Sequence, residues 1–165
     1  MSRDKDVTGI IEGAELCALL PHRGKMFLLS RVRTYDKKKH TLSAEYDIGP
    51  DCLFYDPKFG GIPSWVGIEC MAQSISALSG IINRDEGKKP SPGFILSISQ
   101  LELAVPFLSS GTVLRTCIRE DYRLDAVFSY ACEMSGHDPS GSYPAGKANI
   151  TVMAAAGDIS RWESV

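Results

Sequence analysis

The chain has 165 residues, 44% of them hydrophobic and 23% charged, a composition that predicts one globular domain over residues 1–165 and excludes a disordered or fibrous protein. Its formal net charge of -2 gives no electrostatic reason to expect nucleic acid or an anionic membrane surface as a partner. No apolar run approaches the roughly 20 residues of a membrane span. We expect residues 1–8, which are polar, to be flexible.

The five cysteines are scattered without a Cys-x-x-Cys pair, so the sequence indicates neither a zinc site nor a disulfide framework. Thiols in this arrangement suit a reducing compartment, and we expect a cytoplasmic protein with no metal and no organic cofactor. We expect Cys70, Cys117 and Cys132 to be small core residues rather than nucleophiles.

The first 60 residues predict a short helix, two strands and a loop. Apolar positions over residues 10–20 have helical spacing, and Pro21 ends that helix. Residues 26–35 and 40–49 are strand candidates joined by a lysine-rich turn. Residues 49–61 contain several Gly and Pro residues and predict a loop.

Residues 60–80 predict a long central helix that is buried on most sides. Ser64 is a candidate N-cap, and Gly80 or Gly87 a candidate end. Helical periodicity places the following residues on the face of Trp65: Ile68, Glu69, Ala72, Ile75 and Ser76. We expect this face to contact the core. The Glu69 carboxyl group would then be desolvated, which favours its protonated form and suits a proton donor.

The second half of the chain is rich in strand patterns. Residues 94–105 alternate with a change of phase that predicts a bulge near Ser99. Residues 112–125 and 126–136 are two more strands, 137–146 is a loop by composition, and the last strand begins at residue 147. One antiparallel sheet wrapped around one helix, in the α+β class, is the expected architecture. Its open edge favours self-association.

Two segments carry a family resemblance. LLPHRGKMFLLSRV (residues 19–32) and IPSWVGIECMAQ (residues 62–73) resemble the 3-hydroxyacyl-ACP dehydratases of fatty-acid synthesis, which have the hotdog fold. The combination of LPHRG and GIECMAQ is most similar to the divergent dehydratase-like branch associated with aryl-polyene pathways. The resemblance implies a hotdog homodimer, or a heterodimer with a related hotdog subunit, with an acyl tunnel at the interface near Glu69.

The resemblance also implies an activity, the elimination of water from a 3-hydroxyacyl thioester on an acyl carrier protein. The family pairs a histidine base with a carboxylic acid from the other subunit, and Glu69 matches the acid. The position of the family's histidine is occupied here by Tyr55. Phenols are poor bases at neutral pH, so Tyr55 is a candidate substrate contact or an ordinary loop residue.

Three further residues are candidate substrate-binding or orienting groups. Ser64 replaces a family glycine whose backbone N–H binds the thioester carbonyl, and this N–H could still serve. Gln73, one turn after Glu69, is either its orienting partner or a core-edge amide. His22 would be the missing base if its loop folds over the end of the helix, but the family carries a structural histidine there, and a structural role is the favoured interpretation.

Three functions are therefore compatible with the sequence. The first is a dehydratase with an altered base. The second is a non-catalytic or half-site subunit of a heterodimeric dehydratase. The third is a hotdog thioesterase, in which a helix carboxylate activates water. The absence of any histidine side chain within about 5 Å of the Glu69 carboxylate, counting both subunits, would count heavily against a standard His/Glu mechanism.

Overall fold

The computed structural model describes residues 9–155, so the prediction that residues 1–8 are flexible lies outside the described residues. The elements in chain order are β1 (Ile11–Glu12), α1 (Gly13–Cys17), β2 (Arg31–Asp36), β3 (Thr41–Asp47), β4 (Gly61–Pro63), α2 (Val66–Asp85), β5 (Gly93–Leu103), β6 (Phe107–Ser109), β7 (Val113–Leu124), β8 (Val127–Asp138) and β9 (Gly141–Ala154). A single 3-10 turn, Gly24–Met26, lies between α1 and β2.

Seven strands form one antiparallel sheet in the order β1-β2-β3-β7-β8-β9-β5, and β4 and β6 form a separate two-stranded ribbon. The long helix α2 packs across the middle of the sheet, against β3, β7 and β8. The predicted α+β architecture, one antiparallel sheet around one central helix, is therefore confirmed.

The core lies between α2 and the sheet. On the helix its fully buried members include Val66, Cys70, Met71, Ala77, Leu78 and Ile81, and on the sheet Ala44, Leu114, Ile118, Cys132, Met134 and Ile150. A buried hydrogen bond of 2.7 Å joins the hydroxyl groups of Ser74 on the helix and Thr116 on β7. The helix approaches its neighbours closely at two glycines. A side chain at Gly67 would overlap Met134, and one at Gly80 would overlap the Leu19 carbonyl group.

The predicted phase of the helix is wrong in part: Ile75 is buried as predicted, but the rest of the predicted core face is not. The side that carries Trp65, Ile68, Glu69, Ala72 and Ser76 is the open side, where Trp65 is 51% exposed and the other four are half-buried. We call this set the open stripe of α2. Apolar and small residues occur on nearly every side of the helix, so periodicity alone could not identify the side covered by the sheet. Within residues 9–155 the open stripe is covered only in part, by the Phe54 ring against Trp65 and by His22 beside Glu69.

The predicted ends of the helix are corrected in part. The helix begins at Val66, with Trp65 as its N-cap and no side-chain hydrogen bond there, so the Ser64 N-cap prediction is wrong. Ser64 instead accepts the Gly67 N–H through its backbone carbonyl, at 3.0 Å. The helix ends near Gly87, not at Gly80. Gly87 has φ +70 and donates to Arg84, while Lys88 donates to Asn83, which is a Schellman motif.

Two predictions for the strands can be compared with the sheet. The bulge near Ser99 is confirmed, since the β5–β9 register shifts between Ser99 and Glu102. The loop predicted over residues 137–146 is wrong, because β8 and β9 continue through it and meet at a tight turn after Asp138. The Asp138 carboxylate accepts the Ser140 N–H at 2.8 Å, and Gly141 has φ +137. Only residues 139 and 140 therefore form the turn between the two strands.

Strand β5 forms one edge of the sheet, and all eleven of its residues are exposed. Its apolar side chains, Phe94, Ile95, Leu96, Ile98, Leu101 and Leu103, are between 40% and 51% exposed. A long apolar edge of this kind is normally covered in the functional assembly. Cys117 is exposed, which corrects its prediction, while Cys70 and Cys132 are buried as predicted.

The described part of the chain contains neither a membrane-spanning helix nor a metal-binding cluster. No helix within residues 9–155 is long and apolar enough to cross a membrane. In the same range, no group of three or more His, Cys, Asp and Glu side chains is arranged to hold a metal ion.

Candidate active site

Glu69 lies in the first turn of α2, on the open stripe, and its side chain is 33% exposed. The prediction that it is desolvated among core residues is therefore wrong for the isolated chain. Its position has an electrostatic advantage, because the unpaired N–H groups of a helix N-terminus stabilise a nearby negative charge. The carboxylate faces outward and is available to a ligand or a second subunit.

Gln73 is fully buried and is the residue that holds Glu69. Its Nε2 atom donates to Oε1 of Glu69 at 2.9 Å and to the carbonyl oxygen of Met26 at 2.6 Å. Its Oε1 atom accepts the N–H of Leu28 at 2.9 Å. The amide thus joins the helix to residues 26–28 and fixes the carboxylate, which agrees with the orienting role suggested by the sequence.

His22 also lies beside Glu69. The segment after α1 folds over the first turns of the helix and places Nε2 of His22 3.5 Å from Oε1 of Glu69. The Nδ1 atom of His22 is buried and has no hydrogen-bond partner within residues 9–155. Burial lowers the pKa of His22 below its ordinary value of 6.5, the Glu69 charge opposes this shift, and the Arg23 charge adds to it. The imidazole is therefore mainly neutral at pH 7.

Arg23 explains how His22 is placed. One guanidinium nitrogen donates to three backbone carbonyl groups, those of Leu20 at 2.6 Å, His22 at 2.7 Å and Cys17 at 3.2 Å. These bonds tie the end of α1 to the segment that carries His22. The arginine of the LPHR motif thus orders the backbone around the histidine.

The structure corrects the role predicted for the Ser64 N–H and leaves both alternatives for Tyr55 open. The N–H of Ser64 donates to the carbonyl oxygen of Pro106 at 3.0 Å, so it is not free to bind a thioester carbonyl. The N–H of Trp65 has no acceptor in the described chain and is the available donor at the start of α2. Tyr55 is half-buried against the core, and its hydroxyl group forms no hydrogen bond within residues 9–155.

Two surface clefts lie on the outer face of the sheet, away from Glu69. One is lined by residues of β2, β3, β7 and β8 and the other by residues of β5, β7, β8 and β9, with a volume of about 860 Å³. The second contains a hydrogen bond of 2.9 Å between Ser135 and His137. Neither cleft is lined by His22, Glu69 or Gln73, so neither is the acyl tunnel that the sequence predicts.

Comparison with known proteins identifies the family. The model of the ApeP-like dehydratases matches residues 14–162. The chain belongs to this family. A related protein is the 3-hydroxyacyl-[acyl-carrier-protein] dehydratase FabZ of Chlamydia caviae, which is 24% identical over 141 residues, or 74% of this chain and 92% of that protein. The resemblance to hotdog dehydratases stated from the motifs is therefore confirmed.

Solved structures support the hotdog fold of this ApeP-like chain. The dehydratase heterocomplex ApeI:P from Xenorhabdus doucetiae contains a chain with a TM-score of 0.76 and 20% identity, covering 91% of this chain and 97% of that one. A putative thioesterase from Ralstonia eutropha has a TM-score of 0.53 and 20% identity, covering 74% and 82% of the two chains. The hotdog fold is shared by both.

Sequence reasoning did not single out two groups of this ApeP-like site, and it could not show that a third, His22, lies beside Glu69. The two groups are Arg23 and the Trp65 N–H. The spacing of a motif does not reveal that three carbonyl groups surround the Arg23 guanidinium group, or that the Trp65 N–H is left without an acceptor in the described chain. For His22 the signal was present. Its position directly after Pro21 at the end of a short helix is compatible with a turn back over α2, but only the coordinates show the distance to Glu69.

Proposed function

We propose that this ApeP-like protein is a subunit of a 3-hydroxyacyl-[acyl-carrier-protein] dehydratase of fatty-acid or polyene biosynthesis, located in the cytoplasm. The observation that supports it most directly is the Glu69 carboxylate, which is fixed by Gln73 and lies 3.5 Å from His22 on the open side of the helix. A carboxyl group and an imidazole at this distance can transfer protons at two adjacent carbon atoms of one substrate.

The reaction requires a base at C2 of the acyl thioester, an acid at the C3 hydroxyl group, and a donor for the carbonyl oxygen. Glu69 supplies a proton-transfer group. The N–H of Trp65, four residues earlier at the positive end of the helix, is an unpaired donor within residues 9–155 and suits the developing negative charge on the thioester oxygen. Tyr55 remains a candidate contact for the substrate at the edge of this site.

A second hotdog subunit completes the site in this proposal. The open stripe of α2 and the edge strand β5 both carry exposed apolar side chains in the described chain. Strand pairing along β5 would extend the sheet into the second subunit, and the open stripe would then form one wall of an acyl tunnel. The partner is a second copy of this chain or a related dehydratase subunit, in keeping with the heterocomplex named for a structural neighbour.

The test is incubation of the purified protein with a 3-hydroxyacyl-carrier-protein thioester, alone and with a related dehydratase subunit, and measurement of the product by mass. We expect loss of one water molecule per acyl chain in at least one of the two mixtures. Glu69→Gln should abolish it, whereas Glu86→Gln, an exposed substitution at the far end of the same helix, should not. A free-acid product would indicate a thioesterase, and no product in either mixture contradicts the proposal.

A further inference from the structure

The environment of His22 bears on where the base of the proposed reaction comes from. Its imidazole is 28% exposed and the Glu69 carboxyl group is 33% exposed, so both open to the same side of the helix. The Glu69 contact through Nε2 is its one polar contact among the described residues, because Nδ1 has no partner. Nothing else in the described chain therefore fixes the proton of this imidazole.

We propose that His22 and Glu69 of the same chain form the acid–base pair of the reaction, so that a second subunit encloses the site but need not supply a catalytic histidine. This inference rests on the proposed function. It assigns to His22 the role for which Tyr55 is unsuited, since a phenol is a poor base at neutral pH.

The His22–Glu69 pair takes up one proton and releases one proton in each reaction cycle. In this proposal His22 and Glu69, whose Nε2 and Oε1 atoms lie 3.5 Å apart, together hold one exchangeable proton before the reaction. The pair accepts the proton from C2, the C2–H electron pair becomes the C2=C3 double bond, and the C3–O bond breaks. The pair then gives one proton to the departing hydroxide, which leaves as water, and it ends with one proton as it began.

The surroundings of the pair favour this exchange. The charged groups that face His22 are Glu69 from α2 and Arg23 from its own segment. The neutral amide of Gln73 holds the carboxylate without supplying a competing charge, and Arg23 is fully engaged in ordering the backbone through its three carbonyl bonds. Both reactive groups are held on ordered segments, which limits the reorganisation needed during proton transfer.

The experiment compares His22→Gln with His137→Gln in whichever mixture shows turnover by the unmodified chain. His137 bonds Ser135 on the outer face of the sheet and is a matched control. We expect His22→Gln to lower kcat by about 100-fold or more with little change in KM, as for loss of a general acid–base group, and His137→Gln to be unchanged. Thermal unfolding of each variant checks that it is folded.

The outcomes separate this inference from the proposed function. Undiminished turnover by folded His22→Gln overturns the in-chain pair and leaves the dehydratase proposal standing, with the base assigned to the second subunit. Where His22→Gln does not fold, the pH–rate profile of the unmodified chain decides. A pair that shares one proton gives a bell-shaped profile, in which the rate falls at both low and high pH. A profile in which the rate does not fall at low pH overturns the inference.

Discussion

Gln73 and Glu69 are joined by a hydrogen bond of 2.9 Å along one turn of α2, and the same Gln73 amide also binds the backbone of Met26 and Leu28. One buried side chain therefore controls both the direction of the carboxylate and the position of the neighbouring segment. Its removal should affect stability and chemistry together.

We expect Gln73→Leu to destabilise the fold by about 1–3 kcal/mol, because the buried Leu28 N–H loses its acceptor. We also expect kcat to fall, because Glu69 is no longer held. Urea unfolding and turnover measure the two effects. Ser79→Leu, on the half-buried side of the same helix, is the control for added apolar volume. A stable Gln73→Leu protein with unchanged turnover would contradict the orienting role.

Gly67 is expected to be coupled to Met134. A methyl group at residue 67 would overlap the Met134 side chain, which is flexible, so Gly67→Ala should cost about 1–3 kcal/mol. Met134→Ala removes the obstacle and leaves a space that the new methyl group partly fills. The loss of stability in the double variant, measured by urea unfolding, should therefore be smaller than the sum of the two single losses by at least about 0.5 kcal/mol. Simple additivity would contradict this contact.

Gly80 should respond differently, because a methyl group there would overlap the backbone carbonyl group of Leu19 instead of a side chain. Backbone cannot move aside by changing a rotamer, so we expect Gly80→Ala to cost about 3 kcal/mol or more. Truncation of the Leu19 side chain should give no rescue. A loss smaller than that of Gly67→Ala in the same urea series would count against the close approach of α2 to the segment that follows α1.

The stability of the protein should depend on pH through Glu45, a buried residue of β3. Its carboxylate accepts hydrogen bonds from Arg115 and Arg31, both at 2.8 Å, and from Arg33 at 3.3 Å. Burial raises the pKa of Glu45, but these guanidinium groups outweigh burial and hold the pKa below its ordinary value of 4.5. The resulting stability is complete above that value and is lost as the pH falls through the lowered pKa.

We therefore expect Glu45→Gln to be less stable than the unmodified chain at pH 7, by about 1–3 kcal/mol. The difference should shrink when the pH falls well below 4.5, since Glu45 is then neutral in both the folded and the unfolded state. Urea unfolding at several pH values provides the measurement. Glu133→Gln, an exposed substitution on β8, is the control. A difference that does not change with pH would contradict the assignment to Glu45.

Strand β5 should control assembly. We expect Ile98→Lys to shift the protein toward the monomer, because it places a charge in the middle of the exposed apolar edge. Leu124→Lys, at an exposed apolar position near the end of β7, should leave the mass unchanged. Light scattering measures both. An unmodified chain that is monomeric with and without a related subunit would overturn the proposed interface.

The sequence predicts the fold well because the relevant patterns are local. Alternation identified the long strands, the phase change predicted the bulge after Ser99, and the two family motifs identified the hotdog architecture. The hairpin turn after Asp138 was missed because Gly, Pro and Ser are spread over ten residues there although only two form the turn.

The site was only partly predictable, because its geometry depends on how separate segments meet. Motif comparison identified Glu69 and Gln73, which are one helical turn apart. The open side of α2 could not be deduced, since the helix has apolar residues on most sides. The distance from His22 to Glu69 depends on a turn after Pro21 that Arg23 stabilises through three carbonyl groups, a contact that sequence patterns do not encode.

The pairing of β3 with β7 has a consequence for folding kinetics. Thr116 bonds the carbonyl group of Ala44, a partner 72 residues earlier, and α2 lies within the intervening chain. The entropy of closing this long loop must be overcome before the sheet is complete, whereas β7, β8 and β9 can associate through tight turns. We expect this three-stranded meander to form early, and addition of β3 across the helix to limit the folding rate.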